Sequence, residues 1–233
     1  MISRPDHYLA WMTGGYAYFA DRLAAIDDAR LAEPSALPDW SRKHIVAHLG
    51  FNARALGRLV HWAKSGVETR MYADETARAE EIAAGATWSG ARLRDFVSAE
   101  QGALVEALSG LSDANWSAQV VTGQGRSVPA TEIPWLRTRE LWIHSVDLGT
   151  EGDFDDFPPE MIDKLVTEVA AKRRAGESPT LEVRPTGRPA GRPAGRSPIE
   201  GRASDLASWL TGRGDRGVRT SPGAPLPELG PWL

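Results

Sequence analysis

Glu140 and His144 are residues whose types and spacing could bind a metal ion. Residues four positions apart lie on one face of an α-helix, so this carboxylate and this imidazole would be neighbours. A second stretch of the chain carries His44 and His48, which are also four positions apart. Helix bundles build metal sites from carboxylates and imidazoles that facing helices project inward. Two imidazoles and one carboxylate leave a fourth coordination position open, which is typical of catalytic rather than structural zinc sites.

The helix around His48 is predicted from its two ends and from its inward-facing stripe. Ser41 is a suitable N-cap, and Gly66 is a suitable residue to end the helix. Because His48 lies on this stripe, its side chain is predicted to point into the bundle. His44 is predicted to lie on an adjoining ridge of the helix. The residues that form the stripe are Ile45, Leu49, Asn52, Leu56, Leu59 and Ala63.

The helix around Glu140 is predicted to start at about Pro129 or Pro134. Its apolar stripe also carries Glu140, which is an unusual residue at a core-facing position. His144 lies beside this stripe. Asp147, three residues further on, is a candidate partner that would orient an imidazole.

A structural explanation of these polar residues stays open beside the metal site. A single inward histidine is more often a hydrogen-bonded core residue than a ligand. Glu140 could also pair with Arg137 or Arg54 instead of a metal. The spacing does not choose between His44 and His48 as the second imidazole.

The first 150 residues contain four principal amphipathic helices, with a long connection before the fourth, which indicates a helix bundle. A shorter helix is predicted at 74–85, and the stretch 112–128 is predicted to be a loop or a short hairpin. The principal helices cover about 5–30, 41–66, 89–111 and 129–149.

An acidic stretch with several prolines and glycines, 149–160, marks the predicted domain boundary. We assign residues 1–152 to a metal-binding helix bundle and residues 153–233 to a small α+β domain. The predicted fold class is therefore mainly α. The second domain is predicted to contain a helix at 158–176, strands at 179–185 and 197–203, and a helix at 204–212.

The composition excludes several classes of function. The chain has 233 residues and no cysteine, which excludes disulfides, thiolate metal sites and a nucleophilic thiol of its own. A formal net charge of −4 does not favour nucleic acid or an anionic membrane, and the arginine-containing repeat at 186–196 lacks interleaved aromatic residues. No apolar run reaches the roughly 18–20 residues of a membrane span, and no secretory signal is recognised. We expect a cytoplasmic monomer that acts on small molecules.

Four segments resemble the mycothiol-dependent maleylpyruvate isomerases, which belong to the DinB-like metal-binding proteins. The resemblance spans nearly the whole chain, in the same order, and it implies a DinB-like four-helix bundle followed by a small α+β domain. It also implies a divalent metal, usually zinc. The segments are DWSRKHIVAHLGFNARAL, HWAKSGVETRMYADETARAEEIAAGATW, TGQGRSVPATEIPWLRTRELWIHSVDLG and the ending TGRGDRGV…PWL.

The resemblance assigns roles to particular residues. The metal ligands of the family fall on His48, Glu140 and His144, which favours His48 over His44. The functionally important arginine of the family, in a Gly-Arg-Gly sequence, falls on Arg213. Arg213 is therefore the candidate catalytic residue.

The reaction that the resemblance implies is the cis–trans isomerisation of maleylpyruvate to fumarylpyruvate, with mycothiol as cofactor. A metal-bound thiolate would add to the conjugated double bond, the bond would rotate, and the thiolate would leave. A chain without cysteine must take this thiol from a small molecule. Arg213 would clamp a substrate carboxylate or a developing enolate oxygen.

Two other functions are compatible with the same residues. A mycothiol S-transferase would join the thiol to another electrophile at the same metal site. A non-catalytic protein would bind a metal or a thiol conjugate without turning it over. Assays with several electrophiles would separate the three functions.

Overall fold

A computed structural model describes residues 4–176, 182–186, 198–220 and 224–230. The chain divides into two compact units, Met1–Gly152 and Asp153–Leu233. Each unit is described by itself. Within the described ranges, no helix is both long enough and apolar enough to cross a membrane.

The first unit is a helix bundle, as the sequence predicts. Its four long helices are α1, α3, α5 and α7; α3 packs against α5 and α7, and α1 packs against α7. The helices are α1 (Asp6–Ala24), α2 (Asp28–Leu31), α3 (Arg42–Ser65), α4 (Ala77–Ala86), α5 (Gly90–Ser109), α6 (Asp113–Trp116) and α7 (Ile133–Asp147).

The ends of α3 and α5 follow from their capping residues. Ser41 precedes α3, and Gly66 follows it with a φ of 75°, a left-handed conformation that glycine adopts without strain. The Ser89 side chain accepts a hydrogen bond from the backbone N–H of Arg92 at the start of α5. Every residue of the predicted α3 stripe is buried, so the predicted helical spacing identified the core face.

The predicted opening helix, 5–30, is too long. In the structure α1 ends at Ala24, and the shorter helix α2 follows after a turn. The side chain of Asp27 accepts a hydrogen bond from the backbone N–H of Arg30 at 2.8 Å, which caps α2 and separates it from α1.

The connection between α5 and α7 contains a hairpin, which is one of the two predicted alternatives. Strands β1 (Gln119–Val121) and β2 (Ser127–Pro129) pair antiparallel. The short helix α6, which the sequence analysis did not predict, precedes them. It begins where the Ser112 hydroxyl accepts a hydrogen bond from the backbone N–H of Asn115.

The second unit is a small α+β domain, as predicted. Its sheet has the order β3-β4-β5, with β3 parallel to β4 and β4 antiparallel to β5. Strand β5 was not predicted, and most of the predicted arginine-containing loop, 187–196, lies outside the described residues. The elements are α8 (Pro159–Gly176), β3 (Val183–Pro185), β4 (Ile199–Gly201), α9 (Ala203–Leu210) and β5 (Arg219–Thr220).

Candidate metal centre

Three predicted ligands meet between α3 and α7. The Nε2 atom of His48 lies 2.7 Å from Oε2 of Glu140, and Nε2 of His144 lies 3.3 Å from the same oxygen. All three ligand atoms lie within 4.8 Å of one another. The two imidazole rings meet edge to face, with centroids 4.7 Å apart. The structure therefore places two ring nitrogens and one carboxylate oxygen around one point.

The secondary structure explains this convergence. Glu140 and His144 are four residues apart on α7 and point from one face of that helix. His48 lies on the buried stripe of α3, which packs against α7. The side chains of His48 and His144 are 2% and 9% exposed, and that of Glu140 is 12% exposed. The cluster is thus nearly enclosed by the bundle.

Asp147 orients His144 from the other side of its ring. Its Oδ2 lies 2.8 Å from Nδ1 of His144, and its side chain is fully buried. A carboxylate at Nδ1 keeps the proton on that nitrogen and leaves Nε2 to face the cluster. The sequence analysis proposed Asp147 for this position.

Burial and hydrogen bonding set the charges of the three groups. Burial lowers the pKa of His48 to about 4. Burial opposes ionisation of Glu140, yet hydrogen bonds from His144 and His48 hold the pKa of this carboxyl well below its ordinary value. Burial also disfavours the charged form of His144, but its bonds to Asp147 and Glu140 raise the pKa of this imidazole.

The structure places the alternative residues that spacing left open away from the cluster. His44 does not join the cluster; its Nδ1 lies 3.2 Å from the backbone nitrogen of Ser41, as part of the cap of α3. Arg54 bonds to Glu100 instead of Glu140, at 2.6 Å. Each residue has its own partner away from the cluster.

Arg137 also forms its hydrogen bonds with groups other than Glu140. Its guanidinium is fully buried and donates to the Leu49 carbonyl at 2.8 Å, to Oδ1 of Asn52 at 2.9 Å and to Oε1 of Gln101 at 3.0 Å. Burial lowers the pKa of Arg137 to about 10. This arginine links α7 to α3 and α5 in the core of the bundle.

Trp40 is a residue of the centre that the sequence analysis did not single out. Its indole ring lies 5.7 Å from the ring of His48 and 6.5 Å from the ring of His144, between centroids. It lies in the loop 32–41 that leads into α3. The sequence could have indicated this residue, because Trp40 stands directly before the N-cap Ser41 and one helical turn ahead of His44.

The loop before α3 is bonded to the end of α7. The backbone N–H of Ala36 donates to the Asp147 carbonyl at 2.9 Å. The side chain of Arg42 donates from Nε to the Leu148 carbonyl at 2.7 Å. These bonds hold Trp40 beside the helix that carries two of the candidate ligands.

Arg213 lies in the second unit, in the turn after α9. Its backbone N–H donates to the Ser208 carbonyl at 2.8 Å, and its side chain donates to the Thr211 carbonyl. The flanking residues Gly212 and Gly214 have φ angles of 79° and 117°, which favour glycine. The backbone of this turn therefore favours the two glycines of the Gly-Arg-Gly sequence.

The cluster has the chemistry of a metal-binding site. Neutral imidazole nitrogens and an ionised carboxylate oxygen are the ligands of many catalytic zinc centres. A ligating histidine normally donates its other N–H to a carboxylate or a carbonyl, which is the arrangement of His144 and Asp147. The three side chains could therefore hold a metal ion, and Asp147 would support one of them through a hydrogen bond.

Comparisons with known proteins agree with this geometry. A family sequence model described as the mycothiol maleylpyruvate isomerase N-terminal domain matches residues 14–149, whereas no curated protein gives a significant match. A crystal structure of the mycothiol-dependent maleylpyruvate isomerase has a TM-score of 0.90 and 35% identity, covering 99% of this chain and 98% of that chain. A crystal structure of a histidine-to-alanine mutant of the mycothiol-dependent maleylpyruvate isomerase has a TM-score of 0.90 and 34% identity, with the same coverage. The chain therefore belongs to the mycothiol-dependent maleylpyruvate isomerase family.

Proposed function

We propose that this chain is a metal- and mycothiol-dependent cis–trans isomerase that converts maleylpyruvate to fumarylpyruvate. The observation that carries this proposal is the cluster of His48, Glu140 and His144 inside the bundle of a chain of this family. The solved structures that it resembles over nearly its whole length are described as mycothiol-dependent maleylpyruvate isomerases.

The residues of the cluster fit a divalent metal, for which zinc is the first choice. His48 supplies a nitrogen that its low pKa keeps unprotonated, and Glu140 supplies an ionised oxygen. The chain has no cysteine that could fill a fourth position. A bound metal would hold the sulfur of mycothiol as a thiolate, the form that adds to a double bond and leaves again.

The protein itself would position and shield this chemistry. Asp147 fixes the orientation of His144 through Nδ1. Trp40 lies against the rings of both histidines and limits the access of water to them. Burial of the cluster also strengthens its electrostatic interactions, because fewer water molecules screen them.

We assign to Arg213 the binding of a substrate carboxylate or of an enolate oxygen that develops during the reaction. A guanidinium offers paired N–H donors that match a carboxylate, and it stays charged at any pH at which the enzyme would work. The turn that carries Arg213 is fixed by its backbone bond to Ser208 and by the two flanking glycines. This supports a defined position for the side chain.

The proposal also covers the oligomeric state, the location and the partners of the enzyme. We expect a monomer in the cytoplasm whose partners are mycothiol and a small dicarboxylate substrate. We expect no nucleic-acid or membrane partner.

The test is an assay of the zinc-loaded protein with maleylpyruvate, with and without mycothiol, in which fumarylpyruvate is followed by chromatography. We expect conversion only when both zinc and the thiol are present. We expect Arg213→Ala to lower kcat/KM about 100-fold or more, since it removes a charged contact to the reacting molecule, and to leave mycothiol binding unchanged. Arg216→Ala, three residues further along the same turn, is the matched control and should retain activity.

Intact mycothiol binding without any conversion of maleylpyruvate would contradict the isomerase. A stable conjugate of mycothiol with another electrophile would then indicate an S-transferase. A protein that binds zinc and thiol but turns over none of the electrophiles would be a binding protein.

A further inference from the structure

A cavity of about 540 Å³ lies in the loop that precedes α3. Residues of the stretch 32–41 form most of its wall, and His44 from the first turn of α3 completes it. None of the three candidate metal ligands lines this cavity. It is therefore a separate recess of the first unit.

Trp40 connects the cavity with the metal centre. Its indole lines the cavity and also lies against the rings of His48 and His144, at centroid distances of 5.7 and 6.5 Å. Trp40 is therefore a neighbour of both the cavity and the cluster. The two places are thus suited to hold two parts of one extended ligand.

His44 presents a hydrogen-bond donor in the wall of this cavity. Its Nδ1 lies 3.2 Å from the backbone nitrogen of Ser41 and 2.8 Å from the Ser41 hydroxyl. A backbone N–H is always a donor, so Nδ1 must accept, and the proton of the neutral ring lies on Nε2. In the part of the chain that the structure describes, Nε2 of His44 has no hydrogen-bond partner.

The charged and polar groups of the cavity wall indicate which kind of ligand the cavity would bind. The wall includes the carboxylate of Asp39 and no lysine or arginine. A carboxylate disfavours an anionic ligand but accepts hydrogen bonds from hydroxyl groups. The apolar face of Trp40 suits the C–H face of a sugar ring. Aromatic ring, carboxylate and N–H donor together favour a neutral molecule with many hydroxyl groups over the substrate dicarboxylate.

The loop that forms the wall is held in place by hydrogen bonds. The backbone N–H of Ser35 donates to the Trp40 carbonyl at 2.8 Å, and that of Ala36 donates to the Asp147 carbonyl at 2.9 Å. Asp39 has a φ of 64°, a left-handed conformation that aspartate adopts more readily than most residues other than glycine. The cavity is therefore preformed rather than created by a ligand.

We propose that this cavity binds the sugar and inositol part of mycothiol while the thiol reaches the metal centre past Trp40. This inference rests on the proposed function, because it takes mycothiol to be the thiol that the enzyme uses. In it, Nε2–H of His44 donates to a hydroxyl group, and Asp39 accepts from another. His44 is a binding residue for the cofactor and takes no part in the bond changes.

Titration calorimetry of the zinc-loaded protein tests this with three probes. They are mycothiol, N-acetylcysteine, which keeps the thiol but lacks the sugars, and the glucosaminyl-inositol fragment, which lacks the thiol. His44→Glu keeps a side-chain oxygen that accepts from the Ser41 N–H in a capping box, so α3 stays capped, and its carboxylate has no N–H to donate. His61→Glu, an exposed histidine near the other end of α3, is the matched control.

We expect His44→Glu to weaken mycothiol binding about fivefold to tenfold, the effect of losing one donated hydrogen bond. N-acetylcysteine binding and zinc content should stay at the level of the parent protein. The fragment should bind the parent protein even after a chelator has removed zinc. Asp39→Asn keeps a side chain that tolerates the left-handed backbone, and it should weaken mycothiol but not N-acetylcysteine.

Three results would overturn the inference: no mycothiol binding by the parent protein, unchanged mycothiol binding by His44→Glu, or equal weakening of mycothiol and N-acetylcysteine. Failure of the inference is distinguishable from failure of the proposed function. Conversion of maleylpyruvate with unchanged mycothiol binding by His44→Glu would remove only the inference. Fragment binding that depends on His44, without conversion of maleylpyruvate, would remove only the function.

Discussion

Asp147 accepts a hydrogen bond from Nδ1 of His144 at 2.8 Å, and its own side chain is fully buried. Asp147→Asn keeps the shape of the side chain but loses the charge that orients His144. We expect zinc affinity to fall about 10- to 100-fold, the usual effect of losing such a partner of a metal-bound histidine. Competition with a chelator of known affinity measures it. Asp95→Asn, at an exposed position of α5, is the control, and equal affinities of the two variants would contradict the role.

The pH dependence of metal binding follows from the charges of the cluster. The pKa of His144 is raised, so below that pKa a proton on Nε2 must leave before a metal binds. The pKa of His48, lowered by burial to about 4, adds no second proton until the pH is near 4. We expect zinc affinity to fall about tenfold per pH unit as the pH drops below the pKa of His144.

Chelator competition across a series of pH values measures this slope. Asp147→Asn removes a bond that raises the pKa of His144, so the onset of the decline should move to lower pH. A slope that corresponds to two protons released per metal ion in the parent protein would show that other groups control metal binding. The same would follow if Asp147→Asn did not change the pH at which the zinc affinity begins to fall.

Removal of two ligands tests the metal centre itself. The double variant His48→Ala, Glu140→Ala leaves one imidazole, which does not hold a divalent ion tightly. We expect purified protein to retain less than about a tenth of the parent metal content, because each lost ligand weakens binding. Elemental analysis measures it, with His61→Ala as control. Full metal content in the double variant would mean that the ion binds elsewhere.

Two adjacent glycines of α1 provide a test of helix packing. A Cβ added at Gly15 would lie 2.7 Å from the Trp142 ring, whereas one added at Gly14 would lie at an ordinary 3.6 Å. Gly15→Ala should lower the free energy of unfolding by about 1–3 kcal/mol, because Trp142 must move. Gly14→Ala should raise it by about 0.5–1 kcal/mol through helix propensity. Urea unfolding checks both, and equal effects would show that α1 and α7 are less closely packed.

Arg137 tests the buried polar contacts of the core. Arg137→Ala leaves Gln101 and Asn52 without their donor and opens a cavity between three helices. We expect a loss of about 1–3 kcal/mol in the free energy of unfolding, measured with urea, because buried acceptors lose their hydrogen-bond donor. The control is Arg54→Ala, whose partly exposed pair with Glu100 should contribute only about 0.2–1 kcal/mol. Similar losses for both variants would contradict this difference.

Much of the bundle was predictable because its signals are local. Ser41 and Gly66 mark the ends of α3, and helical spacing identifies its buried stripe, since both depend only on nearby residues. The end of α1 was missed because the Asp27 cap lies inside a sequence that continues to look helical. Strand β5 was missed because two residues give too short a pattern, and only pairing with β4 makes them a strand.

The candidate centre was predictable only in part, for a physical reason. Spacing within α7 places Glu140 and His144 together, but it cannot tell which histidine of α3 faces them. That choice depends on how α3 rotates against α7, which is set by contacts such as the Arg137 bond to the Leu49 carbonyl. Trp40 was missed because it reaches the centre from a loop whose path depends on bonds to distant residues.

Asp147 makes one hydrogen bond through its side chain and another through its backbone. Its side chain holds His144, and its backbone carbonyl accepts from Ala36 in the loop that forms the cavity wall. An occupant of the cavity and an ion at the centre would therefore restrain the same residue from opposite sides. Such an effect is reciprocal. If the ion raises the affinity of the cavity for its occupant by some factor, the occupant raises the affinity of the centre for the ion by the same factor. The short link from Ala36 to Asp147 would then couple the two proposed sites.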